Sequence, residues 1–446
     1  MKKVEEKIFY HIYPLGFVGA SKKNDLNSSP IESLYKVIDW IPHMKHLGVN
    51  ALYLGPLFES EEHGYDTIDY FKVDRRLGTN DTLKNVVKAL HEAGIEVILD
   101  GVFNHVGRDF FAFKDLQNNL RNSKYKDWFY DVNFSYRSPM NDPFTYNAWD
   151  GHYNLVKLNL QNYEVSEHLL QAAEYWIREF DIDGIRLDAA DALDFSWMKK
   201  LSERTKNIKK DFWLMGEVVH GDYSDWLKKG GLDSTTNYES YKGLFSSLND
   251  KNYFEIEYAL KRQFGKGGIY EGIKLYNFLD NHDVNRVASR IEDKKHLYPL
   301  YLMLMTMPGV PSIYYGSEWG IEGEKINGND GSLRPNLDVN YMNDNFDTNM
   351  IAHISKLIRI RKEMKSLKYG SYKTQFVSSQ QFAYMREFEG EKSFVIFNSE
   401  EKNVSIEGNK IEAGRYYDML NDEEIQVNGN SSINLSPNWG RILKRI

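Results

Sequence analysis

The sequence contains no cysteine, which excludes disulfides, thiolate catalysis and cysteine-based metal sites. It also lacks any long apolar run. The richest stretch, from Tyr298 to Met307, falls far short of the ~18–20 residues that span a bilayer. The first residues, MKKVEEKIFYHIYPLGF, are positive like the start of a signal peptide but lack its apolar segment, so a cytoplasmic location is expected. No block of Lys or Arg occurs, and 56 basic against 64 acidic residues leave a net charge of −8. That balance argues against a nucleic-acid partner or an anionic membrane surface. Linkers rich in Pro, Ser or Gly, internal repeats and low-complexity tracts are absent too, so any domains must pack closely. None of the 12 histidines falls in an HExxH spacing, which speaks against zinc catalysis. What remains is an ordinary globular composition, 41% apolar and 27% charged over 446 residues, enough chain for a large core.

Short apolar runs alternate with amphipathic helical windows along most of the chain. The runs are 8–13, 51–54, 96–102, 184–189, 212–218, 234–238, 275–280 and 311–315. They are apolar at both parities, as expected of strands buried on both faces. The clearest helical window is 163–180, where Val165, Leu169, Ala173, Trp176, Ile177 and Phe180 share one face. Eight strands, each followed by helix, predict an α/β fold, a closed parallel (β/α)8 TIM barrel. Segment 107–150 breaks the alternation and reads as an insert after the third strand. From 368 onward short alternating runs and turns at Glu389-Gly390, Glu407-Gly408 and Asn428-Gly429 predict an antiparallel β-sandwich domain. The expected domains are therefore a barrel in two parts, 1–106 and 151–367, an insert, 107–150, and a C-terminal β domain, 368–446.

Barrel enzymes keep their active sites at the C-terminal ends of the strands. Here those ends read DGVFNH (100–105), GIRLD (184–188), GE (216–217) and DNHD (280–283). Each carries charge out of an apolar strand, where an unpaired carboxylate is costly. Asp100 alone is accounted for by a salt bridge or helix cap at a strand end. The whole set is not. Two carboxylates with different tasks suggest glycoside hydrolysis, in which one attacks the anomeric carbon while the other protonates the leaving oxygen. Arg186, two residues before Asp188 on the same strand face, would hold Asp188 ionised as the nucleophile. Glu217, ending an apolar run, is the candidate acid/base, and Asp283 the candidate stabiliser of the transition state.

These motifs resemble the α-amylase family, glycoside hydrolase family 13, over nearly the whole chain. DGVFNH, GIRLDAAD (184–191), GEV (216–218) and FLDNHD (278–283) occur in the family's order, supported by HGYDTIDY (63–70), KLNLQN (157–162) and GVPSIYYGSE (309–318). The resemblance implies the same three catalytic roles. It further implies that Arg186, His105 and His282 contact the catalytic centre, that Tyr65 stacks on the sugar there, and that Asp66 supports Tyr65. Within the family, KLNLQN, NSKYKDWFYD (122–131), Glu217-Val-Val-His220 and LDSTTNY (232–238) look like the cyclomaltodextrinase, neopullulanase and maltogenic amylase group. Val219 stands where that group has Trp. Asp330 and Arg334 resemble its residues near the outer glycone subsites. That group carries an N-terminal β domain used in dimerisation, which has no counterpart here, so the resemblance leaves the oligomeric state open.

The implied substrate is an α-glucan oligosaccharide. Cleavage of α-1,4 bonds in maltooligosaccharides or cyclodextrins with retention is the leading expectation, with Phe144, Tyr146 and Trp149 of the insert walling the cleft. Transglycosylation between α-glucans, or endo-action on starch, fits the same motifs, although Asp191-Ala192 replace the Lys-His of long-chain amylases. A non-catalytic glucan-binding barrel would have lost the carboxylates. Asn104 resembles a calcium ligand of many amylases, but its partner histidine is absent, so no metal or other cofactor is expected to be required.

Overall fold

Short parallel strands follow one another around a barrel in sequence order. They are β1 Phe9–Ile12, β2 Ala51–Leu54, β3 Glu96–Gly101, β4 Gly184–Leu187, β5 Trp213–Gly216, β6 Ser234–Thr235, β7 Tyr276–Asn277 and β8 Val310–Tyr314. The computed structural model describes residues 3–446. β1 pairs in parallel with both β2 and β8, and a bridge between Thr236 and Tyr276 joins β6 to β7 and closes the ring. Among the described residues no helix is long and apolar enough to cross a membrane.

Side chains of alternating parity point into the barrel or out toward the helices. Inside, Phe9, Ala51, Tyr53, Ile98, Trp213, Met215 and Tyr276 form one apolar plug, with the Phe9 ring 4.9 Å from Trp213 and 5.3 Å from Tyr276. The outward residues, such as Leu52, Leu99, Ile185 and Leu214, join the larger core under the helices. Counting upward by two from the plug gives the residues at the mouth: Phe9 leads to His11 and Tyr13, Ile98 to Asp100, Gly184 to Arg186 and Asp188, Trp213 to Met215 and Glu217. The period of the strand thus delivers the polar set.

The helix Tyr163–Phe180 illustrates how the outer layer is fixed. The Asn162 side chain accepts N–H bonds from Glu164 and Val165, and Asp181 ends the helix in a left-handed conformation. Trp176 on its buried face stacks on Phe58 with centroids 4.1 Å apart and donates its indole N–H to the Tyr70 carbonyl at 2.7 Å.

Between β3 and β4 the chain builds an antiparallel sheet from His105–Val106, Ala148–Trp149 and His152–Lys157, and helix Phe111–Asn119 packs through Phe113 on Phe129, Phe144 and Tyr146 of the same segment. Arg108 clamps the segment by a two-pronged ion pair to Asp142, at 2.8 and 2.7 Å. The C-terminal domain holds a six-stranded antiparallel sheet and a two-stranded ribbon, Val404–Glu407 with Ser432–Leu435. Parity again sorts its side chains. Phe382, Tyr384, Val395 and Phe397 face the barrel core, whereas Ala383, Met385, Phe394 and Ile396 pack on Ile406, Ile433 and Leu435 of the ribbon.

Candidate active site

At the C-terminal mouth of the barrel lies a cavity of about 940 Å³, into which Asp188, Glu217 and Asp283 open. Arg186, buried beneath them, organises its floor. Its Nη1 lies 2.8 and 2.9 Å from the two oxygens of Asp100 and 3.0 Å from Asp188 Oδ1, while Nη2 lies 2.7 Å from Glu217 Oε2. Asp100, which also accepts a hydrogen bond from Tyr53 Oη at 2.7 Å, is the buried anchor that aims this guanidinium, as its salt-bridge reading implied.

The two reacting candidates differ in how their oxygens are held. In Asp188, Oδ1 is tied to Arg186, while Oδ2 has His105 Nε2 at 3.9 Å. In Glu217, Oε2 accepts from Arg186 and from the Ala189 backbone N–H at 3.2 Å, while Oε1 has the Tyr238 hydroxyl at 3.5 Å. Each carboxylate therefore has one oxygen held firmly by Arg186 and the other held only loosely, at 3.5 Å by Tyr238 for Glu217 and at 3.9 Å by His105 for Asp188. Burial above all, with the Glu217, Asp100 and Asp283 charges, pushes the Asp188 carboxyl above the usual range despite Arg186. Arg186 thus orients Asp188, but its charge does not outweigh the burial and the neighbouring carboxylates. Asp283 goes the other way. Burial opposes its charge, but His282 Nε2 at 2.9 Å and Arg334 Nη2 at 3.0 Å hold it well below the usual carboxylate range.

The remaining expected residues fall into clear positions. Tyr65 lines the cavity, donates to Asp100 Oδ2 at 3.2 Å and stacks on His282 with centroids 5.5 Å apart. Asp66 is buried behind it and accepts the backbone N–H groups of Glu62, His63 and Gly64 at 2.7, 3.1 and 3.1 Å. Gly64 sits at φ +89, and a Cβ there would lie 2.6 Å from Pro56, so the tight loop that presents Tyr65 requires glycine. His105 lines the cavity beside Trp149, its pKa lowered by burial to about 3, so the ring is neutral. Arg334 links Asp283 to Asp330, whose Oδ2 is 3.1 Å away, and donates from Nε to the His282 carbonyl at 3.0 Å. His220 is exposed on the rim and is not brought to the cavity wall with the others.

Two expected wall residues are corrected. Phe144 and Tyr146 are buried in the insert's own core against Phe113, and the Tyr146 hydroxyl is spent on the Tyr153 carbonyl at 2.8 Å. Trp149, joined by His152 and Leu155, does line the cavity. Sequence reasoning missed Tyr13, over which the Arg334 guanidinium sits 4.5 Å from the ring centre, and Tyr238 beside Glu217. Both stand at the ends of expected strands, 8–13 and 234–238, so the signal that found the acids was present for them too. Among the described residues no cluster of three or more His, Asp or Glu is disposed to hold a metal ion, and the Asn104 side chain lies 3.1 Å from His105 Nδ1.

Comparison with known proteins agrees with this geometry. The α-amylase catalytic domain matches residues 11–349, and the C-terminal domain of maltogenic amylases matches 375–440. A cyclomaltodextrinase from a Bacillus species is 35% identical over 426 residues, spanning 90% of this chain and 74% of that protein. An intracellular maltogenic amylase of Bacillus subtilis is 31% identical over 381 residues, 82% of this chain and 63% of that one. Among solved structures, the cyclic α-maltosyl-(1→6)-maltose hydrolase of Arthrobacter globiformis, in complex with that sugar, superposes with a TM-score of 0.85. It is 25% identical, and the match covers 99% of this chain and 98% of that one. A barrel of this topology with this floor, matched by the catalytic-domain model over most of its length, belongs to the α-amylase family of glycoside hydrolases.

Proposed function

We propose that the protein hydrolyses α-1,4-glucosidic bonds in maltooligosaccharides or cyclodextrins with retention of anomeric configuration. One observation carries this reading: a single guanidinium is bonded to both Asp188 and Glu217, one on each nitrogen. That linkage favours the closer of the two carboxylate spacings glycosidases use, the one in which a carboxylate attacks directly.

The loosely held oxygens set the roles. Asp188 Oδ2 attacks the anomeric carbon as the bond to the leaving oxygen breaks, and a proton from Glu217 Oε1 passes to that oxygen. A proton on Glu217 removes the negative charge that opposes ionisation of Asp188, so acid and nucleophile are in their working states together. Water then attacks the glycosyl ester, losing its proton to Glu217 and releasing Asp188. Asp283, held ionised by His282 and Arg334, faces the positive charge that develops on the sugar ring. Tyr65 supplies a stacking surface, and Arg334 and Asp330 meet the glycone beyond it.

Substrate size follows from the walls. Trp149, His152 and Leu155 of the insert line the cavity together with Asp330 and Arg334, and such a pocket buries the few sugars of a short or cyclic glucan better than a long polymer. With Val219 at the aglycone rim in place of an aromatic, water rather than sugar is the favoured acceptor. No calcium is needed in this scheme. Residence in the cytoplasm is supported by the relative named as intracellular. A product profile from cyclodextrin, maltotriose, pullulan and starch under one condition tests the reading. Higher kcat/KM on cyclodextrin or maltotriose than on starch is expected; preference for starch, with early products longer than maltose, would place the protein among endo-acting amylases.

A further inference from the structure

The cavity does not end at its glycone rim. Pro335 and Asn336 line it on one side, and on the other they line a second, smaller depression of about 290 Å³. Ile321, Leu337 and Met342 make this depression apolar, and helix Val339–Asn345 brings Tyr341 and the following Phe346 to its wall. Those two rings are 60% and 42% exposed. The ridge between the two hollows is fixed. Tyr315 Oη donates to the Pro335 carbonyl at 2.7 Å, Lys36 Nζ donates to Asn336 Oδ1, and Asp338 caps the helix through the Tyr341 N–H at 2.8 Å. Leu337 is seated against Gly316, at φ +90, where a Cβ would lie 2.7 Å from its Cδ1.

We infer that this depression binds additional glucose units of a linear α-glucan whose reacting bond lies in the cavity. The inference rests on the glycosidase reading and adds a site to it. Pyranose rings present apolar faces edged with hydroxyls, and the hollow offers two exposed aromatic rings with Glu322, Asn336 and Asp338 around them. A glucan chain continuous with the reacting sugar would reach it past Pro335 and Asn336, which line both hollows and follow directly on Arg334, held against Asp283. A linear chain can cross the Pro335–Asn336 ridge; a substrate as short as maltotriose cannot fill both hollows.

The test compares maltoheptaose with maltotriose for the wild type and a Tyr341→Ala, Phe346→Ala double variant. Both rings are exposed, so the fold should not depend on them. Loss of kcat/KM on maltoheptaose by roughly three- to tenfold, the scale of one or two lost ring contacts, is expected. It should appear in KM, because this contact is made equally before and during reaction, while maltotriose is unaffected. Tyr341→Phe should keep most of the effect of the native ring. An unchanged ratio of the two substrates, or equal losses on both, would overturn the inference while maltotriose turnover still upheld the glycosidase reading. Absence of turnover on any glucan would overturn both. A dimer that dissociates in the double variant with the substrate ratio unchanged would assign the rings to a second copy of the chain.

Discussion

The barrel mouth and the junction with the C-terminal domain both bury arginine, and they use it differently. Arg186 meets three carboxylates, and their charges raise its own pKa still further despite burial. Arg361 and Arg386, at the junction, meet backbone carbonyls: Met305 at 2.8 Å for one, Thr306 and Gly370 at 2.6 and 2.9 Å for the other. With no acid to offset desolvation, their pKa values fall to about 9 and about 10, the charge of Arg386 adding to the effect of burial at Arg361. A buried cation satisfied by carbonyls joins two parts of a fold. One satisfied by acids that open into a cavity sets up proton chemistry.

Substitutions at the two places should separate these uses. The largest effect belongs to Glu217→Gln, which should lower turnover of maltotriose by about 10²–10⁴-fold. On an aryl glycoside with a good leaving group, formation of the glycosyl intermediate should be largely spared, because that step needs little protonation. Equal losses on both substrates would leave Glu217 a structural role only. Thermal stability should be kept, since the change removes negative charge from a crowded site.

Arg386→Ala should do the reverse. It strands the Thr306 and Gly370 carbonyls at the junction, a loss of about 2–4 kcal/mol from unsatisfied buried acceptors and lost packing. Denaturant unfolding should show the loss, with kcat per folded molecule unchanged. A fall in kcat with unaltered stability would contradict the division.

Acid sharpens the comparison. His353 lies in the junction between Tyr298 and Trp439, and burial lowers its pKa to about 4. The unfolded chain therefore binds this proton first, so stability contributed here is present above pH ~6.5 and lost as the pH falls toward 4, by roughly 2–3 kcal/mol. Asp188, raised in the folded protein, has the opposite sign: its contribution is fully present below the unfolded carboxylate range and is lost as pH rises through its folded pKa. Melting temperature against pH should flatten on the acid side in His353→Phe; an identical profile would remove His353 from the account. The smallest effect is expected from EDTA, which should leave melting temperature and activity within error. A large fall restored by calcium would show that Asn104 or the insert holds a metal.

The site was legible where strand period and charge coincide. Asp188, Glu217 and Arg186 follow from apolar runs that end in charge, and Asp283 from the run at 275–280 followed by Asn-His. The same period marks Tyr13 and Tyr238, but an aromatic at the end of an apolar strand does not stand out as a carboxylate does. Phe144 and Tyr146 were misplaced for the converse reason. An insert with no clean period gives no inside or outside, so aromatics there are read as cleft or as core with equal ease; the Phe113 contacts decide. His220 shows the limit of motif likeness: it follows Glu217 closely in sequence, yet the chain turns it to the rim. The sheet order of the barrel was readable because eight runs with intervening helices admit few closed arrangements.

In the proposed reaction Asp188 attacks the sugar directly while Glu217 serves as acid and then base. Proton NMR of products in the first moments of maltotriose hydrolysis, before mutarotation, tests it most directly. The α-anomer is expected to appear first; a β-anomer as the initial product would show single displacement by water and rule out direct attack by Asp188.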